Sequence, residues 1–298
     1  GDVGVDKYTV GSVHRISPEA PIPIVEVHKT ELKLGLAANV ADNISSFGAK
    51  VYLVGLLGKD RGEDEFKHLM KAKGMSSDDL IRDASRPTTI KERVVAESQQ
   101  IVRIDHEAKA PVSEKLRKQV WAALEKCLPK VDCVIIEDYS KGLVDTSVCR
   151  QLVKEAESLG LPVFVDPNSK SPISLYYGCT VMTPNTVEAE ALSGVKIKDK
   201  NSLMDAGAIL LDKTGAKIVI ITRGKEGMAV FVRGELEPFL IPTFAREVFD
   251  VSGAGDTTIA TLALGIASGG NILEAAFLAN SAAGVVVGKR GTATTNLD

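Results

Sequence analysis

The feature that most limits what this chain can fold into is an alternation. Short runs of β-branched and aliphatic residues at 51–57, 133–137, 162–166, 180–183 and 218–222 are separated by stretches at 63–73, 113–126, 146–159, 202–213 and 273–287, where apolar residues recur every third or fourth position. A run that is apolar throughout reads as a strand covered on both faces. Such strands alternating with amphipathic helices predict an α/β architecture, a mostly parallel sheet flanked by helices, whose ligands collect at the carboxyl ends of the strands.

Two segments break the alternation. Residues 8–34 contain Pro18, Pro21 and Pro23 beside the alternating run Ile22-Pro23-Ile24-Val25-Glu26-Val27, and residues 88–106 read as two strands around a turn at Ser98-Gln99-Gln100. Together they predict a small β-sheet inserted into one domain spanning 1–298, serving as a lid or a dimerisation surface, or as a purely decorative pair of hairpins.

Composition removes several function classes. Thirty-six Lys and Arg against 39 Asp and Glu leave a net charge of −3, so no cationic face for nucleic acid or anionic membrane is expected. The longest apolar runs, 217–222 and 284–288, fall far short of the roughly 20 residues that cross a bilayer. Cys127, Cys133, Cys149 and Cys179 form no CxxC pair, and His14, His28, His68 and His106 are scattered, which suits structural thiols in a reducing cytoplasm. The start shows no secretory signal pattern, and a strand would normally precede the opening Gly1-Asp2 turn. Only 5% aromatic residues with 26 glycines fits loops that approach a ligand closely.

The sharpest local motif is Asp250-Val251-Ser252-Gly253-Ala254-Gly255-Asp256, followed by a nearly all-apolar stretch at 257–268 that reads as a buried helix. Small residues there let backbone N–H groups point at a ligand, and the helix N-terminus adds partial positive charge. A carboxylate at the mouth of an anion hole repels the anion, so Asp256 makes chemical sense as a base that takes a proton from a hydroxyl attacking a phosphorus held by the amides of Gly253, Ala254 and Gly255. The plain alternative is a glycine turn with an aspartate N-cap.

This motif resembles the anion-hole and catalytic-base signature of the ribokinase-like (PfkB) carbohydrate kinases. Gly35-Leu36-Ala37-Ala38-Asn39 resembles that family's N-terminal glycine signature, Thr183-Pro184-Asn185-Thr186-Val187-Glu188 its NxxE motif, and Thr222-Arg223-Gly224-Lys225-Glu226-Gly227 its TxGxxG nucleotide turn. Longer strings are similar to the branch that phosphorylates the anomeric O1 of D-glycero-β-D-manno-heptose 7-phosphate for ADP-heptose and the lipopolysaccharide core: Gly1-Asp2 with Asp6, Arg15-Ile16-Ser17-Pro18-Glu19-Ala20-Pro21, Asp138-Tyr139-Ser140-Lys141-Gly142, and Gly284-Val285-Val286-Val287-Gly288-Lys289 with Gly291-Thr292.

The resemblance implies a ribokinase-like fold with a β-sheet lid, ATP and Mg²⁺ as cofactors, a cytoplasmic homodimer formed through the lid, and a nucleotidyltransferase of the same pathway, fused or separate. Asn185 and Glu188 would organise Mg²⁺ and water around the phosphates, although the same pair spells a helix capping box. Thr222, Gly224 and Gly227 would meet the nucleotide, while Asn280 and Gly284 would border adenine and ribose, a helix face that tight packing explains equally well. Asp250, Ser252 and Gly291 would contribute to a monovalent cation site of the K⁺ type.

For the sugar, Asp6, Gly35 and Asn39 are the expected hydroxyl binders, with Asp138 beside them. A sugar that already carries a phosphate needs cations at its far end, and Arg15, Lys91, Arg93 and Arg103 all fall in the lid. Residues 91 and 93 share one strand face, either converging on a phosphate or lying against solvent. Leu36 departs from the paired glycines of the family signature, which predicts a shifted sugar loop. The rivals are a PfkB kinase acting on ribose, fructose or another sugar phosphate, a sugar-binding regulator without turnover, and a nicotinamide dehydrogenase, whose GxGxxG turn Gly1-Asp2-Val3-Gly4-Val5-Asp6 does not supply.

Overall fold

The computed structural model of the chain describes residues 1–97, 99–245, 249–289 and 294–295. Four parallel strands, β7 (Val134–Glu137), β8 (Val163–Asp166), β9 (Val181–Met182) and β10 (Ile218–Thr222), are extended by the antiparallel β11 (Met228–Val232) and β12 (Phe239–Ile241) into one six-stranded sheet. Parallel neighbours need crossovers, and helices supply most of them. α4 (Thr146–Ser158) joins β7 to β8, while α5 (Thr186–Ser193) and α6 (Lys200–Thr214) join β9 to β10. The helices at 63–73 and 113–126 appear as α2 (Arg61–Ala72) and α3 (Glu114–Cys127).

Successive strand residues point to opposite layers, and the core divides accordingly. Val165, Met182 and Ile221 pack beneath Leu152 of α4, Leu192 of α5 and Leu210 of α6. Phe164, Ile220 and Val230 meet Ile259 and Leu262 of α7 (Ala254–Ala267) and Ala275 and Ala279 of α8 (Ile272–Val286). All four cysteines are unpaired thiols, and burial pushes Cys133 up to about 11 and Cys149 and Cys179 to about 12, which fits structural residues.

The expected strand at 51–57 survives only as β3 (Gly55–Leu57), paired with β4 (Leu80–Arg82). Residues 51–54 lie across an apolar cavity of about 280 Å³ from β7, too far for a ladder. The chain's opening residues bridge that gap at one end, where the Gly1 amine donates to Val54 O (2.9 Å) and the Asp2 amide to Glu137 O (3.2 Å).

The two irregular segments form one four-stranded sheet in the order β2 (Pro23–Leu36), β1 (Val3–Ile16), β5 (Thr89–Ala96), β6 (Gln99–His106). It begins earlier than residue 8 because β1 and β2 stay paired down to Val3 and Leu36, beside the main sheet. Of the turn at 98–100, Ser98 lies outside the described residues and Gln99 and Gln100 already belong to β6.

Register sorts this sheet into two chemical faces. On one face Lys33, Asp6, Lys91 and Asp105 form a row, and Glu31, Tyr8, Arg93 and Arg103 form the next. The opposite face is apolar near the body, where Val5, Leu34 and Ile90 cover Phe66 and Met70 of α2, and mixed farther out, where Lys7 pairs with Glu92 between the edge strands that expose Val27 and, on the far side, Val102 and Ile104.

Candidate active site

The carboxyl ends of β7 and β8, the first turn of α7 and the charged face of the lid sheet meet at Asp256. Residue 256 is not an N-cap: Gly253, at φ 82°, opens α7 without any side-chain cap, and Asp256 is the third residue of the helix. Its carboxylate is buried, accepting a hydrogen bond at Oδ2 from Asn39 Nδ2 and at Oδ1 from the Tyr139 hydroxyl, each 2.6 Å. Burial raises the Asp256 pKa, and these two donors, which favour the charged form, oppose the rise. Ala254 donates its N–H to Val251 O (3.3 Å) and Thr257 to Gly253 O (2.9 Å), so the amides of Gly255 and Asp256, which as first-turn groups have no partner four residues back, are the ones that can face an anion.

Asn39, expected at the sugar, thus gives one N–H of its side-chain amide to Asp256. It lies on α1 (Ala37–Ser46), whose start is fixed by Ala37 N donating to Asp2 O (3.0 Å). Just before it, Leu36 holds φ 60° and ψ −139°, a backbone that glycine adopts far more readily. The loop thus takes a glycine-like backbone path despite the leucine, whose side chain is buried. Gly35 is required for a different reason: a Cβ there would stand 3.0 Å from the Asp6 carboxyl group.

Asp6 itself is buried and paired with Arg93 at 2.7 Å. Lys91 lies over the Tyr139 ring at 5.0 Å and Arg93 over the Tyr8 ring at 5.4 Å, so both cations are on the side of the base. Burial lowers the Lys91 pKa, Asp6 opposes the drop, and the neighbouring Lys141, Arg93 and Arg103 charges add to it. Arg93, Arg103 and Lys141 each have a carboxylate partner, in Asp6, Asp105 and Glu107, and Lys91 is left over the Tyr139 ring. Arg103 stands across from Arg93 in the register and is paired with Asp105 at 2.9 Å.

Two expected residues do not join the cluster. Arg15 lies seven residues beyond Tyr8 on β1, about 23 Å along the strand, largely exposed and 4.0 Å from Glu26. Asp138 is buried with its oxygens occupied by Ser140 N (2.7 Å), the Ser171 hydroxyl (2.6 Å) and the Tyr176 hydroxyl (2.7 Å), so it ties loops together instead of facing the site.

Of the residues expected at the nucleotide, Asn185 caps α5 and Glu188 returns the bond in a full capping box (3.0 and 2.9 Å). Thr222 ends β10, bridged to Asn185, and Gly224 and Gly227 both have positive φ; a Cβ on Gly227 would fall 2.0 Å from Ile241 O. Asn280 donates to Pro242 O (2.6 Å), and a Cβ on Gly284 would meet Ala245 N at 3.1 Å, so these two α8 residues hold the 242–245 segment in place. Ser252 N bonds Asp250 Oδ1 (2.9 Å), and Gly291 lies outside the described residues.

Four residues of the site escaped sequence reasoning. Tyr139 and Lys141 lie inside a noted motif without an assigned role, and their backbone amides both donate to the buried Asp2 carboxylate at 3.0 Å, which explains the opening Gly1-Asp2 pair. Glu137 and Asp166 end β7 and β8 side by side, and with Asp256 they bring carboxylate oxygens within 4.8 Å of one another. Both terminate runs already read as strands, and a carboxylate at the carboxyl end of a parallel strand is the signal that could have found them.

Asp166 lies near enough to Glu188 for the Glu188 charge to raise its pKa, and carboxylate oxygens gathered at the strand ends beside a helix start suit a phosphate-bound hard cation. Known proteins resemble this chain over nearly its whole length. The chain is 45% identical over 296 residues to the bifunctional protein HldE of Desulfatibacillum aliphaticivorans and 40% identical over 296 residues to that of Geobacter sulfurreducens, matching 99% of this chain in each case. It spans 60% of the length of these relatives. In fold it is similar to Arabidopsis thaliana ribokinase complexed with ribose and ATP (TM-score 0.77, 21% identity, 98% of this chain and 92% of that one) and to Escherichia coli phosphofructokinase-2 in complex with fructose-6-phosphate (TM-score 0.77, 17% identity, 96% and 91%). A family model described as pfkB family carbohydrate kinase matches residues 10–298, and this chain belongs to the pfkB family of carbohydrate kinases.

Proposed function

We propose that this chain transfers the γ-phosphoryl group of ATP to the anomeric O1 of D-glycero-β-D-manno-heptose 7-phosphate, giving the 1,7-bisphosphate and ADP. The observation that carries the reading is Asp256, buried at the start of α7 between two donors and facing a strand pair rich in Lys and Arg. Asp256 accepts the O1 proton as O1 bonds to phosphorus and the bond from phosphorus to the ADP oxygen breaks. The Gly255 and Asp256 amides stabilise charge on the transferring group, and Asp6, paired to Arg93, accepts hydroxyl protons of the sugar. Lys91 and Arg93 take the 7-phosphate, with Arg103 and Lys141 adding to the field.

Asn185, Glu188 and Asp166 are the residues that would hold Mg²⁺ with the nucleotide, and that ion supplies neutralisation of phosphate charge. Thr222, Gly224 and Gly227 line the nucleotide turn, and Asp250 and Ser252 border the proposed K⁺ position. Exposed apolar residues on the two edge strands of the lid, Val27 on β2 and Val102 with Ile104 on β6, support a homodimer joined through the lid. The relatives' greater length and their description as bifunctional support a nucleotidyltransferase working in the same cytoplasmic pathway.

A coupled ADP-release assay of the purified chain over a sugar panel tests the reading. Heptose 7-phosphate should give a kcat/KM at least about 100-fold above ribose, fructose and fructose 6-phosphate. A preference for any of the others removes the heptose assignment, and no ADP with any sugar removes the kinase.

A further inference from the structure

We propose that Glu137, Asp166 and Asp256 form a binding site for a divalent cation held by the protein itself, without nucleotide. Each offers a carboxylate oxygen, and the three oxygens lie within 4.8 Å of one another. Oxygens sharing one hard cation at about 2.1–2.4 Å stand at most about 4.2–4.8 Å apart, so the cluster has the dimensions of a coordination shell.

Glu137 is the independent sign that something belongs there. It is only 2% exposed, and neither of its carboxylate oxygens has a hydrogen-bond partner. A buried carboxylate left without donors costs several kcal/mol, which folded proteins offset with a pair, a proton or a metal. The nearby donors are committed elsewhere: the Gly1 amine, whose charge reaches Glu137, donates to Val54 O, Asn39 and Tyr139 both serve Asp256, and Thr183 reaches Asp166 only at 3.5 Å. The register that sets Glu137 beside Asp166 at the ends of parallel strands fixes both carboxylates against the first turn of α7. Access comes from that turn, where Gly255 lacks a side chain and even an added Cβ would stand 3.6 Å from Asp166 Oδ2.

This site shares Asp166 with the position proposed for an ion brought in with nucleotide phosphates, but Glu137 and Asp256 complete its shell in place of Asn185 and Glu188, and ATP is not needed to complete it. Bound there, the ion would neutralise the charge of the acidic cluster at the ends of β7 and β8.

The test uses the whole chain stripped with chelator, at fixed pH and without nucleotide or sugar, titrated with Mn²⁺ and followed by the electron paramagnetic resonance of the unbound ion. One Mn²⁺ per chain is expected, with Glu137→Gln and Glu137→Ser each weakening Kd at least tenfold and Glu188→Gln changing it less than twofold. Failure of the wild-type chain to bind, unchanged binding in both Glu137 variants, or loss confined to Glu188→Gln overturns the proposal. A second measurement needs no Glu137 variant: Tb³⁺ at this site would sit beside the Tyr139 phenol, so tyrosine-sensitised emission should appear and should vanish in Tyr139→Phe. Emission unchanged in that variant places the ion elsewhere and overturns the proposal. Because neither readout requires turnover, a chain that binds Mn²⁺ as expected but phosphorylates no sugar would remove the kinase reading alone.

Discussion

Tyr139 donates its hydroxyl to Asp256 Oδ1 at 2.6 Å while Asn39 holds Oδ2 from the other side, so the proposed base is oriented by two donors that both favour its charged form. Burial works in the opposite direction and raises the Asp256 pKa above the ordinary 3.8. The base acts only when ionised, so activity should fall on acidification through a pKa above 3.8. Tyr139→Phe removes a donor to the carboxylate and should move that acid limb to higher pH; Asn39→Ala should do the same. A pH profile of kcat/KM that shifts downward or stays fixed in both variants refutes this role.

Replacing the base separates chemistry from binding. Asp256→Asn should lower kcat by about 10²–10⁴-fold, the range a positioned general base contributes, while the KM for ATP changes little. The same variant carries a stability signature. A folded-state pKa raised above the unfolded value favours folding fully below the unfolded value, and that contribution is lost as pH rises through the folded one. At neutral pH the ionised Asp256 is therefore a liability, so Asp256→Asn should melt above the wild type there, with the advantage shrinking in acid. A near-wild-type kcat would remove Asp256 from the mechanism.

Lys91 is a cleaner probe of the sugar phosphate than Arg93. Removing Arg93 also strands the buried Asp6 carboxylate at the other end of a 2.7 Å ion pair, whereas Lys91 lies over the Tyr139 ring. A hydrogen bond to a charged group is worth about 1.5–3 kcal/mol, so Lys91→Ala should raise the KM for a phosphorylated sugar about 10- to 100-fold and leave its unphosphorylated analogue nearly unaffected. Equal effects on the two sugars would mean that the lysine does not meet the phosphate.

Leu36 allows a test of stored strain. With φ 60° and ψ −139° it occupies a region where a side chain costs about 1–3 kcal/mol. Leu36→Ala and Leu36→Gly lose the same buried apolar side chain apart from one methyl, but only glycine escapes the backbone penalty. Urea denaturation should therefore find Leu36→Gly more stable than Leu36→Ala by about 1 kcal/mol, reversing the usual order in which alanine wins. The usual order would show that the strain is absent.

What the sequence revealed and what it hid follow the range of the interactions. Periodicity located β10 at 218–222 to the residue and the helices to within two or three, because a buried face repeats along the chain itself. It overstated the strand at 51–57, since whether 51–54 joins a ladder depends on a neighbour about 80 residues away. The Lys91 and Arg93 pair was legible because alternation on one strand decides which residues share a face. Asp138 was misread because its partners, Ser171 and Tyr176, are over 30 residues distant and leave no mark on the local pattern. Tyr139 was missed for the same reason: its bond to Asp256 spans 117 positions.

Gly227 gives the sharpest test of the nucleotide turn. Its φ of 80° is strained for any side chain, and a Cβ there would fall 2.0 Å from Ile241 O and 2.7 Å from the Pro242 carbonyl carbon, both backbone atoms that cannot rotate away. Gly227→Ala must therefore push the end of β12 and the following segment off the turn. Asn280 holds that segment through Pro242 O at 2.6 Å, so the displacement would reach the face of α8 as well. None of these atoms touches Asp256, Asp6 or Lys91, so the damage should be confined to the nucleotide side. We expect the KM for ATP to rise about tenfold or more with the KM for sugar changed little, and Asn280→Ala, which frees the same segment without a collision, to shift the ATP KM in the same direction by a smaller factor. A Gly227→Ala enzyme with an unchanged ATP KM and a raised sugar KM would assign this turn to the sugar instead.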